Sequence, residues 1–168
     1  MGVAGSGKTT LARALAERLE LPFADADDYH PPANIAKMAR GEPLDDEDRA
    51  PWLARLADLL EEHESRGGLV LACSALRRAY RQRLRAASAS VTFVYLEGSF
   101  EVIERRLEQR ADHFMTSRML RSQFDALEAP QDAIVVDITL PTEQQVALVV
   151  DALRTRAPEQ PPEKDRRQ

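Results

Sequence analysis

Cysteine is almost absent from this 168-residue chain, and the lone Cys73 leaves no internal disulfide. That excludes the stapled folds of small secreted domains and fits a reducing cytoplasm. Basic excess is absent as well. A net charge of -5 and a pI near 5.3 argue against non-specific binding to nucleic-acid backbones and favour small ligands. No apolar run approaches the roughly 20 residues of a membrane span, and no charged leader with an apolar stretch opens the chain. His30, His63 and His113 with Cys73 lack zinc-ligand spacing, no Gly-x-Ser-x-Gly stands at a strand-to-helix elbow, and no internal repeat is visible.

What remains is an ordinary folding composition, 43% hydrophobic and 30% charged, of a length that suits one α/β domain. The domain is expected over residues 1–156. Residues 157–168 are prolines and charges with no apolar anchor and read as a disordered tail.

The chain opens on Gly2-Val3-Ala4-Gly5-Ser6-Gly7-Lys8-Thr9, a P-loop pattern. Its glycines let backbone N–H groups curl around phosphate oxygens at a helix N-terminus. Lys8 is placed to reach the β- and γ-phosphates of ATP, and Thr9 to ligate Mg²⁺. Leu11, Leu15 and Leu19 then predict a helix over 8–19. A short apolar strand over 21–24 runs into Asp25 and Asp27. The double proline Pro31-Pro32 precedes a short helix over 33–40, the acidic turn 45–48 follows, and the next helix carries Trp52, Leu53, Leu56, Leu59 and Leu60 on one stripe, with Pro51 in its first turn. Strands are expected over 69–73, 91–96 and 133–138, helices over 75–87, 100–109 and 119–127, and a last helix opened by a Thr142–Gln145 capping box. The aperiodic stretch 110–118 is the candidate lid. Strands alternating with helices imply a three-layer α/β/α fold with a parallel sheet and helices on both faces.

Asp25 and Asp27 lie i, i+2 at a strand end, so both carboxylates face one side. Asp25 is the candidate metal ligand with Thr9, and Asp27 the candidate for holding an acceptor hydroxyl; the alternative is that both simply cap a turn. His30 either bonds a substrate hydroxyl or packs in its turn. Arg49 follows four acids, where an exposed ion pair is the plain reading. Arg77, Arg81 and Arg85 share one helical face, with Arg81 able to meet an anion and Arg85 solvated. Arg106 lies before the lid stretch and Arg110 at its start, where closing guanidinium groups would stabilise charge on a transferred phosphoryl group.

Taken together these segments resemble the gluconokinases, small P-loop kinases with a nucleoside-monophosphate-kinase-like fold. The carriers are the P-loop, residues 25–31 and above all the block from Asn34 to Leu53, followed in order by residues 73–81, 95–100, 113–115 and 123–128. The resemblance implies transfer of the ATP γ-phosphoryl to the 6-hydroxyl of D-gluconate, with Mg²⁺ and a closing lid. It implies catalytic roles for Lys8, Asp27 and Arg110, and a nucleotide site of residues 2–9 (Gly2, Val3, Ala4, Gly5, Ser6, Gly7, Lys8, Thr9) with Thr10 and Arg106. It implies acceptor contacts from Asp27, His30, Arg49, Ser74 and Arg81, and a homodimer among the assemblies relatives form. Another aldonate or shikimate is the rival substrate, and an inactive nucleotide-binding protein the rival class. Ala26 and Ala111 depart from the family's usual glycine and lysine. So does the start, since relatives have a buried strand before the loop, and the expectation is a truncated first strand and a less stable chain.

Overall fold

The computed structural model describes residues 1–109 and 117–156. Helix α1 (Lys8–Leu19) begins where expected. Gly7 turns the chain at φ 95°, a left-handed conformation that glycine adopts without Cβ strain, and Leu11 and Leu15 bury one stripe. Strand β1 (Phe23–Asp25) leads into a 3₁₀ turn (Ala26–Tyr29) and helix α2 (Pro32–Ala39). Helix α3 (Asp46–Glu64) starts earlier than the apolar stripe alone suggests. The Asp45 side chain accepts from the Asp48 N–H and the Asp48 side chain from the Asp45 N–H, both at 2.9 Å. This reciprocal cap makes the acidic run the helix N-terminus, where carboxylates meet the positive end of the helix dipole. Pro51 consequently lies inside the helix and not in its first turn.

Strand β2 (Val70–Ala72), helix α4 (Arg78–Ala87), strand β3 (Val94–Glu97), helix α5 (Phe100–Glu108), helix α6 (Ser117–Ala126), strand β4 (Ile134–Asp137) and helix α7 (Thr142–Arg156) complete the order. α4 opens at Arg78 and not near Ala75, because Ala75 sits at φ 41°, outside helical geometry. The expected capping box of α7 does not form: Thr142 is already helical, and the Gln145 amide is buried, donating to the carbonyls of Leu140 at 2.8 Å and Ile138 at 3.3 Å. Of the lid stretch 110–118, only Ser117 and Arg118 are described, and they begin α6; the tail 157–168 lies outside the described residues.

β1 pairs with β2 and β3 with β4, both in parallel, with Asp25 opposite Ala72 and Glu97 opposite Asp137. Alternation across the strands sorts the core into two faces. Leu96, Ile134 and Val136 pack with Leu11 and Leu15 of α1 and Val149 and Val150 of α7. Phe93 and Tyr95 pack with Trp52, Leu53 and Leu56 of α3 and Tyr80 and Leu84 of α4. Helices thus cover both faces, as the three-layer reading requires.

Among the described residues, the backbone hydrogen bonds that link the two strand pairs come from the chain's first residues. The Met1 amine donates to the Val94 carbonyl, and the Leu96 N–H donates to the Met1 carbonyl at 2.9 Å, the parallel-ladder pattern around Tyr95. On the other side the Gly2 N–H donates to the Ser74 carbonyl at 3.2 Å. Behind this bridge lies a cavity of about 340 Å³ between β2 and β3, lined by apolar side chains such as Leu11, Leu15, Leu60 and Leu84. Burial there, and then the charge of Lys8, pull the Met1 amine down to about 5.

A strand-sized slot with backbone on both sides should reward filling. Four or five alternating valine and isoleucine residues fused ahead of Met1 are expected to raise Tm by about 5 °C or more, since about 1 kcal/mol moves a domain of this size by roughly 2–4 °C. A glycine–serine extension of equal length should give no gain in the same calorimetric scan.

Candidate active site

The phosphate loop is held from three sides. Gly2 bonds the segment after β2, and Ser6 N–H closes the turn onto the Val3 carbonyl at 3.3 Å. Helix α5 packs from beneath so closely that a Cβ on Gly5 would lie 2.8 Å from Leu107 Cγ, which leaves no room for a side chain. Lys8 Nζ arches back to the Val3 carbonyl at 3.0 Å, keeping its charge over the loop. The first-turn amides of an α-helix have no acceptor within it, which is why a helix N-terminus such as that of α1 suits an anion.

Residues expected at the metal and the acceptor converge on this loop. The Thr9 hydroxyl donates to Asp25 Oδ2 at 2.8 Å, and Asp25 Oδ1 accepts the Asp27 N–H at 3.2 Å. Both are hard oxygen donors of the kind Mg²⁺ takes. No group of three His, Cys, Asp or Glu side chains among the described residues is arranged to hold a metal. A cation here would complete its shell with phosphate oxygens and water. Asp27, on the 3₁₀ turn, has its carboxyl raised above the ordinary range, first by burial and then by Asp25, against the opposing pull of Lys8 and His30. Among the described residues no donor is hydrogen-bonded to that carboxylate, so it is available to a ligand.

His30 stacks flat on Trp52, with ring centroids 4.5 Å apart and planes 11° from parallel. Trp52 is itself pinned, its buried Nε1–H donating to the Ala26 carbonyl at 2.7 Å. Burial, and then the nearby Arg49, lower the His30 pKa while Asp27 raises it, so the ring is neutral near pH 7. Arg49 donates from one guanidinium nitrogen to the Leu44 carbonyl and lies over the Tyr80 ring at 5.8 Å. The plain expectation for Arg49, an ion pair with Asp45 or Asp46, is not what it makes: those acids engage Lys37 and Arg77 instead.

Other candidates take different places. Ser74 follows β2 and accepts the Gly2 N–H on its carbonyl. Arg81 is 7% exposed, with its guanidinium donating to the carbonyls of Ala75, Leu76 and Glu128 at 2.8–3.0 Å. It therefore clamps the strained loop after β2 to the segment before β4. Arg85 pairs with Asp132 at the surface. Arg106 donates to the Ile138 carbonyl at 2.6 Å and, with Thr10, Leu140 and Thr142, borders a cavity of about 310 Å³ beside Gly5, Ser6 and Gly7. Arg110 lies outside the described residues. Cys73 is inert, buried and pushed up to about 11.

Two participants belong to blocks that carry the resemblance but have no role assigned by it. Gln123 of α6 reaches the loop, its Oε1 accepting the Ala4 N–H at 2.7 Å. Asn34 is 4% exposed and contacts His30. Gln123 lies 119 residues from its partner in the chain, and Asn34 sits in a short helix whose other residues are at most partly buried, so no spacing rule points to either contact.

With this geometry in view, three comparisons are informative. The sequence profile of the shikimate kinase family matches residues 4–154. The thermoresistant gluconokinase of Escherichia coli K12 is 43% identical over 160 residues, spanning 92% of this chain and 91% of that protein. The gluconokinase of Gluconobacter oxydans 621H is 49% identical over 133 residues, 79% and 75% of the two chains. A solved gluconokinase from Sinorhizobium meliloti 1021 superposes with a TM-score of 0.82 at 38% identity, covering 94% of this chain and 95% of that one. A P-loop seated on a parallel α/β core, an adjacent carboxylate pair and likeness along nearly the whole chain agree: this chain belongs to the shikimate kinase family of P-loop phosphotransferases and, within it, to the gluconokinases.

Proposed function

We propose that this chain is an ATP-dependent gluconokinase, transferring the γ-phosphoryl group of ATP to the 6-hydroxyl of D-gluconate and releasing ADP and 6-phospho-D-gluconate. The observation that carries the reading is the meeting of the phosphate loop with an exposed carboxylate, Asp27, that no described residue hydrogen-bonds, beside His30 and Arg49 in a chain 43–49% identical to the two gluconokinases above.

In this reading the triphosphate lies along residues 2–9, with Lys8 against the β- and γ-phosphates and the base in the cavity bordered by Arg106 and Thr10. Thr9 and Asp25 would hold Mg²⁺, which neutralises phosphate charge when bound. Asp27 orients the 6-hydroxyl and takes its proton as the oxygen bonds to the γ-phosphorus and the bond to the β-phosphate oxygen breaks. A raised carboxyl pKa suits this task, because the base must be strong enough to accept a proton in the transition state. His30 donates to a second hydroxyl. Arg49, with a permanent charge and unspent N–H groups, meets the carboxylate at the far end of the acid. Ser74 adds a contact from the loop that Arg81 holds. Arg110 is assigned to the transferring phosphoryl group. Because ATP is the donor, we place the enzyme in the cytoplasm, and the net charge of -5 assigns it no nucleic-acid partner.

The direct test is ADP release by the purified chain with ATP and Mg²⁺ against gluconate, other aldonates, glucose and shikimate; gluconate should dominate, and a folded sample without gluconate-dependent turnover would refute the assignment. Asp27→Asn is expected to lower kcat by at least about 10²-fold with ATP binding near normal. The base works only when deprotonated, so wild-type kcat/KM should fall as pH drops through the raised Asp27 pKa. The acid limb should lie above the usual aspartate value of 3.8 and be absent in the variant. Arg49→Gln should raise KM for gluconate about 10- to 100-fold, the worth of a charge-assisted contact, and leave KM for ATP unchanged in the same assay.

A further inference from the structure

Asn34 is the one buried asparagine of the described residues, and it sits where a helix facing the core would ordinarily carry an apolar side chain. Its Nδ2 lies 2.8 Å from the Asp48 carbonyl, which can only accept, so the amide's orientation is settled by chemistry. The same Nδ2 lies 3.5 Å from His30 Nδ1. An amide nitrogen can only donate, so Nδ1 must be the acceptor, and the proton of a neutral imidazole then resides on Nε2 at the opposite edge of the ring.

We propose that Asn34 is a positioning residue for the phosphoryl acceptor: it holds His30 against Trp52 in the Nε2–H tautomer, so that the imidazole donates a hydrogen bond to the sugar acid beside Asp27. The proposal rests on the reading that Asp27 and His30 face the acceptor. Its parts come from three elements. Asn34 belongs to α2, the Asp48 carbonyl and Trp52 to α3, and Trp52 Nε1–H reaches the Ala26 carbonyl on the turn that carries Asp27. His30 N–H bonds the Asp27 carbonyl at 3.4 Å. The ring is thus fixed in position by stacking, in rotation by the amide and in register with the base by the turn. Among the described residues no hydrogen bond takes the Nε2 proton, which leaves it for a ligand. The charged groups that act on the ring are Asp27, from the turn, and Arg49, from α3; Asn34 and Trp52 are neutral. The opposite tautomer would turn a bare nitrogen toward the sugar acid, which can accept a hydrogen bond and cannot donate one to the second hydroxyl.

Imidazole ¹⁵N spectra test this on the whole protein, since its three histidines can be assigned by single substitutions. At pH 7, without substrate, His30 should be neutral with Nδ1 bare and Nε2 protonated. Asn34→Ala should give a mixture of tautomers and raise KM for gluconate about tenfold while KM for ATP stays unchanged. Asn34→Asp, whose carboxylate accepts, should move the proton to Nδ1 and raise the His30 pKa. A wild-type spectrum with Nδ1 protonated overturns the proposal even if no variant folds, as does a folded Asn34→Ala with unaltered acceptor KM. Wild-type protein with the Nε2–H signature but no gluconate turnover overturns the substrate reading instead, and with it the role, though not the tautomer.

Discussion

The two halves of the sheet are joined by three hydrogen bonds from the first two residues. Met1 donates to the Val94 carbonyl and accepts from the Leu96 N–H, and the Gly2 N–H donates to the Ser74 carbonyl. Because these residues run straight into the phosphate loop, the bridge that holds β2 and β3 together is also the mount of the ATP site. The loop's shape depends on it, since Gly5 rests on Leu107 and Gly7 must meet the start of α1 at a left-handed φ. Parallel strands are stable when both faces and both edges are engaged. Here the faces are covered by α1 and α7 on one side and α3 and α4 on the other, while the central edge pairing is short and backed by a cavity of about 340 Å³.

The acceptor side is organised by caps and buried polar contacts instead of strands. The reciprocal Asp45–Asp48 cap starts α3, Lys37 of α2 pairs with Asp48 at 2.5 Å, and Asn34 of α2 bonds the Asp48 carbonyl. These contacts tie α2 to the head of α3, which carries Arg49 and Trp52. Arg77, just before α4, and Tyr80 of α4 close on Asp46 from the other side. The block from Asn34 to Leu53 thus behaves as a frame for His30 and Arg49, which explains why a stretch with so few catalytic-looking residues carries so specific a resemblance.

Much of this was legible in the chain. The bounds of α1, the parallel pairing, the core stripe of α3 and the convergence of Thr9, Asp25 and Asp27 follow from periodicity and from i, i+2 geometry, which act over a few residues. The start of α3 differs from the expected acidic turn, because a run of carboxylates suits a turn and a helix N-terminus equally and only the Asp45–Asp48 cap decides between them. Gln145 matched a capping-box spacing, yet its amide serves carbonyls of the preceding loop. Arg81 shared a helical face with Arg77 and Arg85, and spacing cannot tell that one of the three is buried under backbone carbonyls while the others meet Asp46 and Asp132.

Alone, the sequence determined the chemistry on offer: a glycine-rich cradle with its lysine, hydroxyl and carboxylates, one thiol too isolated to matter, and the alternation that makes a three-layer domain. Those properties reside in residue type and short spacing. Only the tertiary structure decided which polar groups are spent and which are available. It committed Arg81 and Gln123 to backbone partners, left the Asp27 carboxylate open, and set His30 between Trp52 and Asn34. Such choices depend on contacts between residues 4 to 119 positions apart, whose energies arise from burial and geometry that no local pattern encodes.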